Sequence, residues 1–294
     1  ALQVAAGGGV RLALAAPRIE LGAMLAIAML DAQLPPGLRA WLLQASPRVV
    51  LSQVQVATDA DGRLHGSAHV DDAGWQPVGE RPAIQGLAGS VLFDADAITF
   101  NFDKPDPGAR PLHLLWPPAY GDPVGLAIDG HLTAWRDDGD WVLDSSDLHA
   151  RNDQIDLATR IVMRLHGDGR KPRLDLFATV QPARMVDAKR YWLRHRMHPT
   201  TVQWLDDAIE GGQVAGAHVL LGGDLADWPF KNDQGRFEAV ADLVDGQLHF
   251  RPDWPRAAAS DFNWIHPALS APLPGCLRNP RVRRNSMNAG VETP

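Results

Sequence analysis

His195 and His198, in the run Arg194-His195-Arg196-Met197-His198, come nearest in this sequence to metal ligands, with Asp206 or Asp207 available to complete a site. Their spacing is not the His-x3-His that sets two imidazoles on one helix face, and no HExxH motif occurs. The run reads better as a basic, solvated loop. Two pairs of acids, Asp137/Asp138 and Asp206/Asp207, suggest carboxylate catalysis at first sight. One pair sits in a turn and the other on a short helix, and paired charges are seldom buried, so solvated surface is the better reading. Ser90 lacks the Gly-x-Ser-x-Gly elbow, and no Gly-rich phosphate loop follows a strand and opens a helix. The reading therefore assigns no catalytic residue, no metal and no cofactor, and makes no case for an enzyme.

The elements that would position any site are strands. Ile155, Leu157, Thr159, Ile161, Met163 and Leu165 share one side of a strand, and Asp156, Arg160 and Arg164 share the other, broken only by Ala158 and Val162. A period of two puts these sets on opposite faces of a sheet. Val124, Leu126, Ile128, Gly130, Leu132 and Ala134 repeat the pattern. So do Leu174, Leu176, Ala178 and Val180, and Ile98, Phe100 and Phe102 around Thr99 and Asn101. One apolar and one polar face is the mark of antiparallel sheet wet on one side. Asp61-Gly62 lies between Val54/Val56 and the run Leu64, Gly66, Ala68, Val70, and Asp245-Gly246 lies between Leu243 and Leu248/Phe250; each reads as a hairpin turn. Asp138-Gly139 and Asp168-Gly169 add two looser turns, so the middle of the chain reads as a meander of hairpins.

Length and composition bound this picture. The chain has 294 residues, enough for one large β domain or two smaller units, and its 45% hydrophobic content is ordinary for a chain that buries a core. A net charge of −7 argues against a nucleic-acid binder, because phosphate binding needs a basic surface. A lone cysteine, Cys276, excludes an intrachain disulfide framework and a Cys-rich zinc site. Residues 1 to 34 are rich in Ala and Leu but carry Arg11, Pro17, Arg18, Glu20 and Asp31. A membrane-spanning helix needs about 20 mainly apolar residues, which this stretch does not supply, and it also lacks the ordered parts of a signal peptide. Beginning at Ala1, the chain reads as a fragment of a longer protein.

Helices are few and short. Pro36 to Gln44, Ala183 to Leu193 and Pro199 to Glu210 carry apolar residues at helical spacing, the last stopped by Gly211-Gly212. Each is expected to cover an edge or end of sheet. Ten tryptophans, an amphipathic residue suited to interfaces, are read mainly as packing on the sheet.

A set of motifs between residues 180 and 255 carries a resemblance. It comprises Val180-Gln181-Pro182-Ala183-Arg184-Met185-Val186-Asp187-Ala188-Lys189-Arg190-Tyr191-Trp192, then Trp204-Leu205-Asp206-Asp207-Ala208-Ile209 with Gly211, then Gly222-Gly223 and Trp228-Pro229-Phe230. Gly235-Arg236-Phe237-Glu238 and Pro252-Asp253-Trp254-Pro255 complete it. Together they resemble the central region of the YhdP family, within the AsmA-like proteins of Gram-negative bacteria, and the likeness covers roughly residues 10 to 256. The resemblance implies a mainly β fold: an elongated, curled antiparallel sheet of the repeating β-groove type with a few short covering helices. It implies a protein held in the inner membrane by an N-terminal anchor that this chain lacks, extending through the periplasm and presenting a hydrophobic groove for phospholipid acyl chains moving between the two membranes. Residues 1–256 form that partial β-groove region, with a sub-boundary near residue 120. Residues 257–294, with the basic stretch Arg278 to Arg284, read as an irregular, disordered or frameshifted tail.

An acyl-chain groove must be apolar along its length and needs no base, nucleophile or metal. The candidate lining positions are Ile98, Phe100, Phe102, Val124, Leu126, Ile128, Ile155, Leu157, Ile161, Met163, Leu174 and Leu176. The alternative is a non-catalytic structural or assembly module that pairs with another envelope protein through a sheet edge.

Overall fold

The computed structural model describes residues 2–4, 10–28, 36–104, 111–192, 194–195, 197–228, 230, 232–249 and 257–259. The first strands are β1 (Leu2–Val4) and β2 (Val10–Glu20), followed by helices α1 (Leu21–Ala28) and α2 (Pro36–Ala45). Next come β3 (Arg48–Thr58), β4 (Leu64–Gly74), β5 (Ala83–Gln85), β6 (Leu87–Phe93), β7 (Ala97–Phe102), β8 (Leu112–Leu115), β9 (Val124–Asp129) and β10 (His131–Asp137). β11 (Asp140–Arg151), β12 (Asp156–Leu165), β13 (Arg173–Val180) and β14 (Ala183–Arg184) lead into a 3₁₀ helix, Met185–Tyr191. Helix α3 (Pro199–Ala208), β15 (Ile209–Asp224), β16 (Gly235–Leu248) and β17 (Ala257–Ala259) complete the order.

Strand pairing follows chain order. An antiparallel file runs β2-β3-β4-β6-β7-β10-β11-β12-β13-β15-β16, with β1 on β2 and β17 on β16, and the sheet does not close. The short strands β5, β8 and β9 extend the rows of β6, β7 and β10: β5 pairs β8, β8 pairs β9, and β9 pairs the end of β11. Two of these long rows bend at a glycine with positive φ, Gly86 (75°) between β5 and β6 and Gly130 (110°) between β9 and β10. At Gly130 a Cβ would meet the Asp147 carbonyl oxygen at 2.5 Å, so only glycine lets β10 approach the β11 bulge.

Turn chemistry sets the register at one end of the strands. Asp138 (φ 49°) and Gly139 (φ 87°) form a two-residue turn closed by the Asp137–Asp140 pair, the tightest connection between β10 and β11 rather than a loose one. Gly62 (φ 78°) turns the chain between β3 and β4, where Asp59 Oδ1 accepts from the amides of Asp61 and Arg63. Asp245-Gly246 does not turn the chain: Asp245 (φ 50°) sits in an irregular stretch of β16, which continues to Leu248 against β15. The positive φ that marks a hairpin also serves a bulge, and the long partner strand β15 decides between them.

Helices depart from their expected bounds where strands compete for the same residues. The segment from Ala183 is a two-residue strand followed by a 3₁₀ helix, because Ala183 and Arg184 pair with Val214 and Gln213. Helix α3 ends at Ala208 instead of the glycine pair, since Ile209 already pairs with Leu248. α2 agrees with expectation, and α1 adds a helix on the side of β3. Residues 260–294 lie outside the described residues, as does Cys276.

The carboxylates of the turns make acid sensitivity testable. Asp94 is held below the usual carboxylate range by the backbone amides of Asp96 and Ala97, and Asp168 by the amide and then the side chain of Arg170. A lowered folded pKa stabilises the fold above the unfolded value, about 3.9 for aspartate, and that contribution is lost as pH falls through the folded value. Asp94→Asn combined with Asp168→Asn is expected to flatten the acid limb of stability, read as urea midpoints across a pH series.

Candidate functional site

In an antiparallel ladder, residues directly opposite each other point to the same face, so the pairings carry one face from row to row. Starting from Leu157, Ile161 and Met163 on β12, the register leads to Ala150, Ser145 and Leu143 on β11 and to Val180, Leu176 and Leu174 on β13. It continues through Val219 and Leu221 to Ala239 and Phe237 at one side. At the other it runs through Ala134 and Leu132 to Ile98 and Phe100, then Phe93 and Val91, Gly66 and Ala68, and Val56. Ile128, paired with Ala150, brings Leu126 and Val124 onto this face. Ile155 precedes β12 and lies outside the ladder, its carbonyl accepting from the Asn152 amide. The register therefore brings the other candidate residues together on one apolar face.

Bulges keep that face intact where the alternation in sequence breaks. Leu51 and Val54, Val70 and Ala73, Ser145 and Leu148, and Val214 and Ala217 are each separated by three residues, yet lie on the same face because an irregularity absorbs the extra residue. The opposite face carries cross-strand polar pairs: Thr99 with Thr133 at 3.0 Å, His149 with Asp156 at 2.5 Å, and Ser52 with Asp71 at 2.6 Å. It also exposes Leu92, Val162 and Phe177, and a depression of about 740 Å³ opens there between Ala13, Ala15, Ala57, Leu92 and Ala97.

Among the described residues few helices pack on the apolar face, although Val54, Ala68, Val70, Val124, Ala150 and Ala178 on it are buried. Apart from ladder neighbours, the main contacts of the sheet with helices are α1 on β3 and the 3₁₀ helix and α3 on β14 and β15. Met185 packs on Leu243 and Leu248, with Ile209 and Val214 beside them, so this covering lies at one end of the last rows. The largest side chain under 2% exposed is that of Ser145, and Leu64, Ile98 and Leu165 of the apolar face are exposed at the ends of their strands. A second sheet layer, the usual way to bury such a face, does not occur among the described residues.

Glycine and aromatic residues shape the face locally. A Cβ on Gly66 would meet the Phe93 ring at 2.8 Å, and one on Gly89 the Phe100 ring at 2.8 Å. Phe230 lies across Gly223 and Gly235 in the same way, with Trp228 edge-on at 5.4 Å. Absence of side chains on these glycines lets the rings approach the backbone. The Gly-Gly, Trp-Pro-Phe and Gly-Arg-Phe motifs are thus one packing unit.

Residues with catalytic types are dispersed into structural roles. Asp206 is gripped by Arg194 at 2.7 and 2.9 Å, His198 caps α3, and His195 lies against Gly121. Asp137 pairs with Arg164 at 2.5 Å in the β10–β11 turn, and Ser90 pairs with Asn101 on the polar face. Among the described residues no group of three or more His, Cys, Asp or Glu side chains is placed to hold a metal, and no helix is long and apolar enough to cross a membrane.

Two residues outside the candidate set, Arg136 and Trp141, also lie on this face. Arg136 is the next even-numbered member of the series that ends at Ala134, and its guanidinium lies 5.2 Å from the centre of the Trp141 ring. Following the alternation into the turn would have found it.

Residues 1–263 match the profile of the family described as YhdP protein. The chain belongs to the YhdP family. Over 85 residues it is 32% identical to the intermembrane phospholipid transporter YhdP of Escherichia coli (strain K12), a stretch amounting to 29% of this chain and 7% of that protein. The chain spans only a small part of the length of that relative. No solved structure matches this YhdP-family chain.

The ring-over-glycine unit is open to test. Phe230 is 2% exposed, so Phe230→Ala is expected to lower stability by about 3–5 kcal/mol, measured by chemical denaturation. An unchanged midpoint would show that the ring is not packed on Gly223 and Gly235.

Proposed function

We propose that this chain is a lipid-binding segment of a phospholipid conduit, in which acyl chains lie on the apolar face and pass from row to row along the file. The observation that supports this reading is a face kept apolar across successive strands of a single sheet that does not close, with no second sheet among the described residues. Transfer from water is worth about 0.8 kcal/mol per CH₂, so an acyl chain supplies the apolar surface that the fold leaves unmatched. The candidates Ile98, Phe100, Phe102, Val124, Leu126, Ile128, Ile155, Leu157, Ile161, Met163, Leu174 and Leu176 are the proposed contacts. The relative's description as an intermembrane phospholipid transporter supports the same class of cargo. On this reading the segment works in the periplasm, tethered to the inner membrane through a part of the protein outside this sequence. The work is non-enzymatic, since holding and passing a lipid breaks no bond.

Photoreactive residues separate the two faces. A photo-crosslinker at Leu157 or Ile161 is expected to capture phospholipid in a Gram-negative host, and one at Arg160 or Val162 to capture little. Leu157→Asp with Ile161→Asp should abolish crosslinking from Met163 while the circular dichroism spectrum is unchanged. Equal capture from both faces, or capture that survives the double substitution, contradicts the assignment.

A further inference from the structure

Arg136 is the one charged side chain that the register places on the apolar face between β3 and β13 among the described residues. It stands at the end of β10, level with Trp141 on β11, where exposed Ile98 and Leu165 form the rim of the same face. Arg136 is itself exposed at this rim, so its guanidinium is open to an incoming ligand. Of the acids in the adjoining turn, Asp137 pairs with Arg164 at 2.5 Å, and Asp140 with His166 at 3.0 Å and with Arg164 at 3.6 Å. Asp140 is held below the usual carboxylate range by the Gly167 amide and then by His166, which keeps it committed to that network. Arg136 itself makes no ion pair among the described residues, and its recorded partner is the Trp141 ring. Arg63, Arg173 and Arg236, by contrast, pair with Asp96, Asp175 and Glu238.

We propose that Arg136, lying over the Trp141 ring, binds the phosphodiester of a phospholipid whose acyl chains lie on Ala134, Leu143 and Met163. The proposal rests on the reading of the apolar face as an acyl-chain surface and adds a fixed place for the headgroup. A guanidinium offers two parallel N–H donors that match two phosphate oxygens, which a lysine ammonium does not. Stacking on indole limits the rotamers of the arginine before the lipid arrives, and indole itself suits a boundary between apolar surface and water. Position at the rim leaves the polar headgroup in solvent while the tails lie on the sheet. The ligand class is therefore a glycerophospholipid, distinguished from a diacylglycerol of the same chains by its phosphate.

The test uses the full chain with a photoreactive residue at Leu165, presented with phosphatidylglycerol or with diacylglycerol of identical chains. Phosphatidylglycerol is expected to bind about tenfold more tightly than diacylglycerol, the scale of one charge-assisted hydrogen-bonded pair. Arg136→Gln should remove that preference without altering diacylglycerol capture or the circular dichroism spectrum, and Arg136→Lys should restore part of it. Equal binding of the two lipids by the unsubstituted chain, or a preference that survives Arg136→Gln, overturns the headgroup site and leaves the acyl-chain surface standing. Capture of neither lipid overturns both.

Discussion

The side-chain period of the strand is the constraint on which this structure depends. Successive residues alternate between faces, so a slip of one residue in any row would turn its apolar set outward. In a sandwich the second layer penalises such a slip. Here each row is held by its neighbours and its turn, and the file keeps one apolar face because every pairing preserves it. Tight turns such as Asp138-Gly139 fix register at one end, and bulges such as that after Ser145 absorb extra residues without inverting the face. The polar face adds cross-strand pairs whose geometry also requires that register, among them Thr99 with Thr133 and His149 with Asp156.

Much of this was legible in the residues. The alternation from Leu157 to Leu165, broken only by Ala158 and Val162, and that from Val124 to Ala134 placed strands and faces together, because a sustained period of two marks the two faces of a sheet. Legibility failed where two structures share one local signal. Asp245-Gly246 has hairpin chemistry, but the length of β15 keeps β16 straight, and no local pattern reports the length of a partner strand. Ala183 and Ile209 belong to runs with helical spacing yet pair as strand, since ladder partners far away in sequence outweigh a weak helix propensity. Arg136 was hidden for a different reason: a charged residue at a strand end reads as part of a turn until the ladder shows which face it shares.

A sheet that presents one apolar face to its surroundings carries an unmet demand for apolar contact. Compact domains meet it with a second layer; among the described residues the helices touch the sheet where α1 lies on β3 and beside the last rows, where Met185 packs on Leu243 and Leu248. Rings close over Gly66, Gly89, Gly223 and Gly235 place aromatic area on the sheet itself. On the proposed reading a lipid supplies that contact, in a chain that belongs to the YhdP family. Asp206 is held by Arg194 and His198 caps α3, so both serve the fold beside the last rows.

The most direct measurement is native mass spectrometry of the chain purified from a Gram-negative host under conditions that retain bound lipid. An open acyl-chain face predicts co-purified phospholipid that dissociates as intact molecules, identified by extraction. A folded chain that emerges free of lipid, and stays so after incubation with phospholipid vesicles, would contradict the account and leave the apolar face to a protein partner.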